Sequence, residues 1–67
     1  MTNGRLIKAL AAEQGITMTE LARRLGISRA GLYKRLEGEM RTDKFKECLR
    51  ELGYELYIGR DGEFRRI

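Results

Sequence analysis

Apolar residues recur at helical spacing along four stretches of the chain, and then the spacing changes. Leu6, Ile7, Leu10 and Ala11 share one face of a helix predicted over residues 4–14. Leu21, Ala22 and Leu25 do the same over 18–25, and Leu32 and Leu36 anchor a third helix over 29–37. Phe45, Cys48, Leu49 and Leu52 follow the i, i+3, i+4, i+7 pattern of an amphipathic helix over 43–52. Each segment runs into a glycine at 15, 26, 38 or 53, as a left-handed C-terminal closure requires. Residues 1–4 read as a frayed start. Beyond Gly53 the period shortens. Tyr54, Leu56, Tyr57, Ile58 and Phe64 favour strands, and Arg60-Asp61-Gly62 suits a three-residue hairpin loop with Gly62 in the bulge position. That register pairs Ile58 with Phe64, on the face that carries Leu56. A lone hairpin is marginal in water, so the segment at about 54–67 must pack on the helices or on another chain.

The capping residues sharpen the middle of this pattern. Thr17-x-x-Glu20 is a capping box, with Ile16 and Leu21 placed as a hydrophobic staple. Ser28 caps the third helix, with Ile27 and Leu32 as its staple and Gly31 where the box would place an acid. Thr42 is the expected cap of the fourth helix, with Asp43 in its first turn. Between the second and third helices the chain turns at Gly26, where glycine takes positive φ without steric cost. Two short helices fixed by a glycine turn form a helix-turn-helix, which offers its second helix to the major groove of DNA. Leu21, Ala22, Leu25, Leu32 and Leu36 are its expected core, and Cys48 is a small core residue.

Composition narrows the function classes. The 67 residues suit one domain over 1–67, so small that a dimer or a ligand often completes its stability. One cysteine excludes an internal disulfide and a cysteine-based metal cluster. There is no histidine, no paired-carboxylate motif and no phosphate-cradling glycine loop, so neither enzyme nor cofactor is expected. No apolar run approaches the roughly 20 residues of a membrane span, and no signal peptide is visible. A cytoplasmic protein, associated with the nucleoid when bound to DNA, is the expectation. The formal charge is +4. Arg23, Arg24, Arg29, Lys34 and Arg35 lie in one window without an acid, and Glu20, Glu37 and Glu39 flank it. Such a patch on a reading helix suits phosphate contact. By position, Arg29 suits bidentate contact with guanine or contact with a phosphate, Lys34 suits a phosphate or a base, and Ala30 and Gly31 allow close approach.

The run Gly15-Ile16-Thr17-x-x-Glu20-Leu21-Ala22-x-x-Leu25-Gly26-Ile27-Ser28 resembles the Cro/CI-type (XRE) helix-turn-helix superfamily. Arg29, Leu32-Tyr33-Lys34-x-Leu36, Phe45, Leu49 and Leu52-Gly53-Tyr54-x-Leu56 resemble its short prophage-repressor and addiction-module antidote members. The likeness spans about residues 5 to 58. It implies a mainly α, compact four-helix, lambda-repressor-like domain, here with a C-terminal β-hairpin. It also implies operator binding as a homodimer, and repression. By position it places Ser28, Arg29, Ala30 and Lys34 at bases and phosphates, with Tyr33 on the same side. It places the amides at Thr17, Met18 and Thr19 on a phosphate, Met18 standing where the family often has Gln. Arg41 matches a frequent backbone contact. The second apolar anchor of the reading helix is Leu36, four residues after Leu32, where many members place it at 35; Fis-type motifs share this spacing.

Two partner surfaces follow. Tyr54, Tyr57, Ile58 and Phe64 are the candidate dimer contacts, because a hairpin edge can pair with its own copy and aromatic residues are enriched at interface cores. The competing class is an antitoxin-type interaction module that neutralises a partner protein, with or without DNA binding.

Overall fold

A computed structural model describes all 67 residues. Four helices, α1 (Asn3–Glu13), α2 (Met18–Leu25), α3 (Arg29–Arg35) and α4 (Thr42–Glu51), are followed by an antiparallel hairpin, β1 (Tyr57–Arg60) and β2 (Glu63–Arg66). The mainly helical fold with a terminal hairpin is the one expected. Its core joins Ile7 and Ala11 of α1, Leu21 and Ala22 of α2, Leu32 and Leu36 from α3 and its end, and Phe45, Cys48, Leu49 and Leu52 from α4 and its end. Burying each large aliphatic side chain contributes about 1.5–3 kcal/mol. Leu6 is exposed, and Leu10 and Leu25 are only partly buried, so the inward faces of α1 and α2 are narrower than the pattern predicts.

The helix ends explain how short segments hold their angles. At Gly26 (φ 70°) the Gly26 N–H donates to the Arg23 carbonyl at 3.1 Å and the Ile27 N–H to the Ala22 carbonyl at 3.0 Å. This paired closure is a Schellman motif. The same pair of bonds closes α1 at Gly15 and Ile16, and α4 at Gly53 and Tyr54. α3 differs. It ends at Arg35, two residues short of the expected 37, and Gly38 (φ 107°) lies beyond it. The cap of α4 differs as well: Arg41 takes the N-cap position with no side-chain capping bond, and Thr42 is already helical.

Residues 2–4 are a clasp, where a frayed start was expected. The Thr2 hydroxyl accepts from the Arg5 N–H at 3.2 Å and caps α1. The Asn3 amide pairs with the backbone of Met40, accepting from its N–H at 2.6 Å and donating to its carbonyl at 3.0 Å. The Asn3 N–H donates to the Glu39 carboxylate at 2.8 Å. Gly4 is buried, and a Cβ there would run into the carbonyl oxygens of Leu36 and Gly38. The clasp fixes the exit of α3 against the start of α1.

The hairpin has a different register from the expected one. Arg60 pairs with Glu63, Gly59 with Phe64, Ile58 with Arg65 and Tyr57 with Arg66. The loop is therefore two residues, Asp61-Gly62, at φ 49° and 86°. Positive φ at both is what a type I′ turn requires, and Asp-Gly is among its preferred pairs. Ile58 and Phe64 consequently lie on opposite faces. The Phe64 ring lies over Gly59, where a Cβ would overlap it. Leu56 alone of this segment is partly buried against the core.

Candidate nucleic-acid interface

The orientation of α3 follows from its anchors. Leu32 has no solvent contact and Leu36 is almost fully buried. With that face inward, Ser28, Arg29, Ala30, Tyr33 and Lys34 are all exposed. The Ser28 hydroxyl accepts from the Gly31 N–H at 3.0 Å and starts the helix. A Cβ at Gly31 would crowd that hydroxyl at 3.1 Å, so the missing side chain has a local reason in the cap. The Arg29 guanidinium lies 5.8 Å from the centre of the Tyr33 ring, a cation–π distance. This contact holds the Arg29 side chain along the exposed face.

α2 supplies the second wall. Thr17 and Thr19 are exposed, whereas Met18 is partly buried and packs against the core. The Thr17 hydroxyl accepts from the Glu20 N–H at 3.1 Å. The reciprocal half of the expected box is absent, because Glu20 has better partners. Its carboxylate accepts from Nε of Arg23 and from Nε of Arg24, each at 3.0 Å. With a further bond from Nη2 of Arg23, these hold the Glu20 carboxyl down at about 2, from its ordinary 4.5. Arg24 also donates to the Glu51 carbonyl at 3.0 Å, tying α2 to the end of α4.

The cationic window is thereby divided. Arg23 and Arg24 share the single carboxylate of Glu20, which offsets one of their two charges. Arg35 turns back toward α4, where its Nη1 lies 3.6 Å from Glu47, buried and without a hydrogen-bond partner. It sits beside Cys48, whose thiol is pushed up by burial and so stays protonated. Arg29 and Lys34 make no ion pair. Sequence order hides this division, since Glu20 and Glu47 both lie outside the acid-free window. Arg41 stands apart in the loop before α4, its side chain 82% exposed, with Asp43 at 3.3 Å.

The candidate dimer residues form no single patch. Tyr54 follows α4, Tyr57 and Phe64 share one hairpin face, and Ile58 lies on the other. Tyr57, Ile58 and Phe64 are 53%, 64% and 71% exposed. The Tyr57 hydroxyl donates to Glu55 at 3.0 Å, and Arg66 donates to the same carboxylate at 3.0 Å. No helix is long and apolar enough to cross a membrane.

The family described as winged helix-turn-helix DNA-binding matches residues 2–37, which is more than half of the chain. The match spans α1, α2, α3 and their turns; it contains no strand, and the hairpin lies beyond it on the far side of α4. No curated protein and no solved structure matches the chain. The chain belongs to the winged helix-turn-helix DNA-binding family.

Proposed function

We propose that this winged helix-turn-helix protein is a sequence-specific transcriptional repressor, its 67 residues acting as one domain that binds double-stranded DNA as a homodimer. In this reading α3 enters the major groove. Arg29 bonds guanine O6 and N7, with Ser28 and Ala30 close to the base edges. Lys34 and Tyr33 lie against phosphates. The first-turn amides of α2, at Met18 and Thr19, have no carbonyl within their own helix to bond and reach a phosphate beside Thr17, while Arg41 supplies a further backbone contact. The observation that carries the reading is on α3, whose outward face presents two cations that no acid neutralises. The likeness of residues 5–58 to Cro/CI-type proteins supports repression and a two-fold operator with half-sites roughly 34–36 Å apart. A cytoplasmic, nucleoid-associated protein fits this role.

An antitoxin-type role, with or without DNA binding, is favoured by one observation. Ile58 and Phe64 leave apolar surface open on both faces of the hairpin. Selection from a random duplex pool separates the readings. The repressor reading expects an enriched, two-fold symmetric site whose affinity falls steeply as salt rises. Arg29→Ala then lowers affinity for that site by about 1–3 kcal/mol and relaxes one position in each half-site. A protein that retains no duplex even at low salt overturns the DNA reading in favour of a protein partner.

A further inference from the structure

The hairpin's backbone parity fixes what its free edge can do. The Ile67 N–H donates to the Leu56 carbonyl at 2.9 Å, so residues 56 and 67 are a hydrogen-bonded pair. Hydrogen-bonded and open pairs alternate along an antiparallel ladder. In the observed register, 58–65 and 60–63 are then hydrogen-bonded, and 57–66 and 59–64 are open. The N–H and C=O of Phe64 and Arg66 consequently point away from β1, along the outer edge of β2. An exposed edge of this kind is a template for another strand.

We propose that β2 pairs antiparallel with β2 of a second copy, centred on Phe64, to give a four-stranded sheet across a two-fold axis. This rests on the homodimer reading above and specifies the edge and register that build it. A two-fold axis normal to the sheet keeps each face on its own side, so a residue can meet only a residue of its own face. Two registers then use the outward groups of β2. One is centred on Arg65 and sets two like charges directly opposite, which destabilises the pair. The other is centred on Phe64. It sets the two Phe64 rings opposite each other on one face, and Glu63 opposite the copy's Arg65, twice, on the other face. Neither Glu63 nor Arg65 has an ion-pair partner within its own chain, whereas Arg66 is already held by Glu55. The other edge offers no such complement, because β1 (Tyr57–Arg60) carries one charge, Arg60, and so cannot set an acid opposite a base.

Charge exchange in the full chain, read by sedimentation, tests the register. The unaltered chain is expected to sediment as a dimer, and Glu63→Lys and Arg65→Glu each as a monomer, since each sets like charges opposite one another twice. Mixed in equal amounts, the two variants are expected to form a heterodimer. The lysine introduced into one chain then faces the glutamate introduced into the other, and the native Arg65 of the first faces the native Glu63 of the second. The doubly exchanged chain is expected to dimerise with itself. Single variants that remain dimeric overturn the register and leave the homodimer reading standing. An unaltered chain that is monomeric at high concentration overturns both. Monomeric variants that fail to combine in the mixture, and a double exchange that stays monomeric, also overturn the pairing.

Discussion

Ile7, Leu21 and Leu32 in the helices have no solvent contact, whereas Ile58 and Phe64 in the hairpin are 64% and 71% exposed. Both regions hold apolar residues and sound local chemistry. Helices α1, α2 and α4 close with Schellman turns, α1, α2 and α3 start at hydroxyl caps, and the hairpin closes with an Asp-Gly turn. The difference is that each helix gathers its apolar residues on one side and finds another helix there. The hairpin divides its own between two faces and finds only Leu56 as a link to the core. Local signals are enough to shape a segment, but only a shared face ties it to the rest. The hairpin therefore rests mainly on its turn and ladder, the condition in which a two-stranded unit is marginal.

The largest test of this contrast is a matched pair of truncations. Leu32→Ala is expected to lose about 2–5 kcal/mol of stability through lost burial and a cavity. Phe64→Ala is expected to stay within about 0.5 kcal/mol in the monomer, as surface changes do. Denaturant unfolding at low protein concentration measures both. Equal losses would mean that the hairpin is packed as firmly as α3.

Gly4→Ala tests the clasp within the helical body. Helix propensity alone expects a gain of about 0.5–1 kcal/mol. The carbonyl oxygens of Leu36 and Gly38 occupy the space of the new methyl group, and forced overpacking costs about 1–3 kcal/mol. A net loss of stability is expected in thermal unfolding, and a rise would show that the clasp yields freely. Gly59→Ala is the hairpin's counterpart. It displaces the Phe64 ring and should raise amide exchange along Tyr57–Arg66 while leaving the melting of the helices nearly unchanged. Global destabilisation by Gly59→Ala would contradict the division between the two regions.

What can be read from the sequence follows the same division between local and distant causes. The four apolar stripes, the Thr17 and Ser28 caps and the turn at Gly26 depend on residues within a few positions, and periodicity and cap chemistry carry them. The outward display of Arg29, Tyr33 and Lys34 follows from Leu32 and Leu36 by helix geometry. The Asn3–Met40 clasp, the burial of Gly4 and the Arg35–Glu47 contact join segments that only the packed fold brings together, and no spacing rule reaches them. The hairpin register is present locally, since Asp61-Gly62 is a two-residue turn signal. Assigning Arg60 to the loop shifts one strand by a residue and so moves Phe64 to the wrong face relative to Ile58. In the capping box the pattern correctly gives the Thr17 bond. It cannot rank the backbone N–H against two arginines one turn away.

That choice by Glu20 supplies the smallest expected effect. The folded carboxyl titrates at about 2, below its ordinary 4.5, because Arg23 and Arg24 bond its ionised form. A group whose folded value is depressed contributes stability that is fully present above its unfolded value and fades as the pH falls to the folded one. The contribution is therefore complete above about pH 4.5 and is lost as the pH falls toward about 2. The pairs lie at the surface, where such contacts contribute little and are screened by salt, so the change in melting temperature should be slight and should shrink at high ionic strength. Glu20→Gln cannot ionise. The difference in melting temperature between parent and variant is expected to be constant above about pH 4.5 and to narrow between there and about pH 2. A difference that stays constant through this range would mean that Glu20 bonds the arginines no better folded than unfolded.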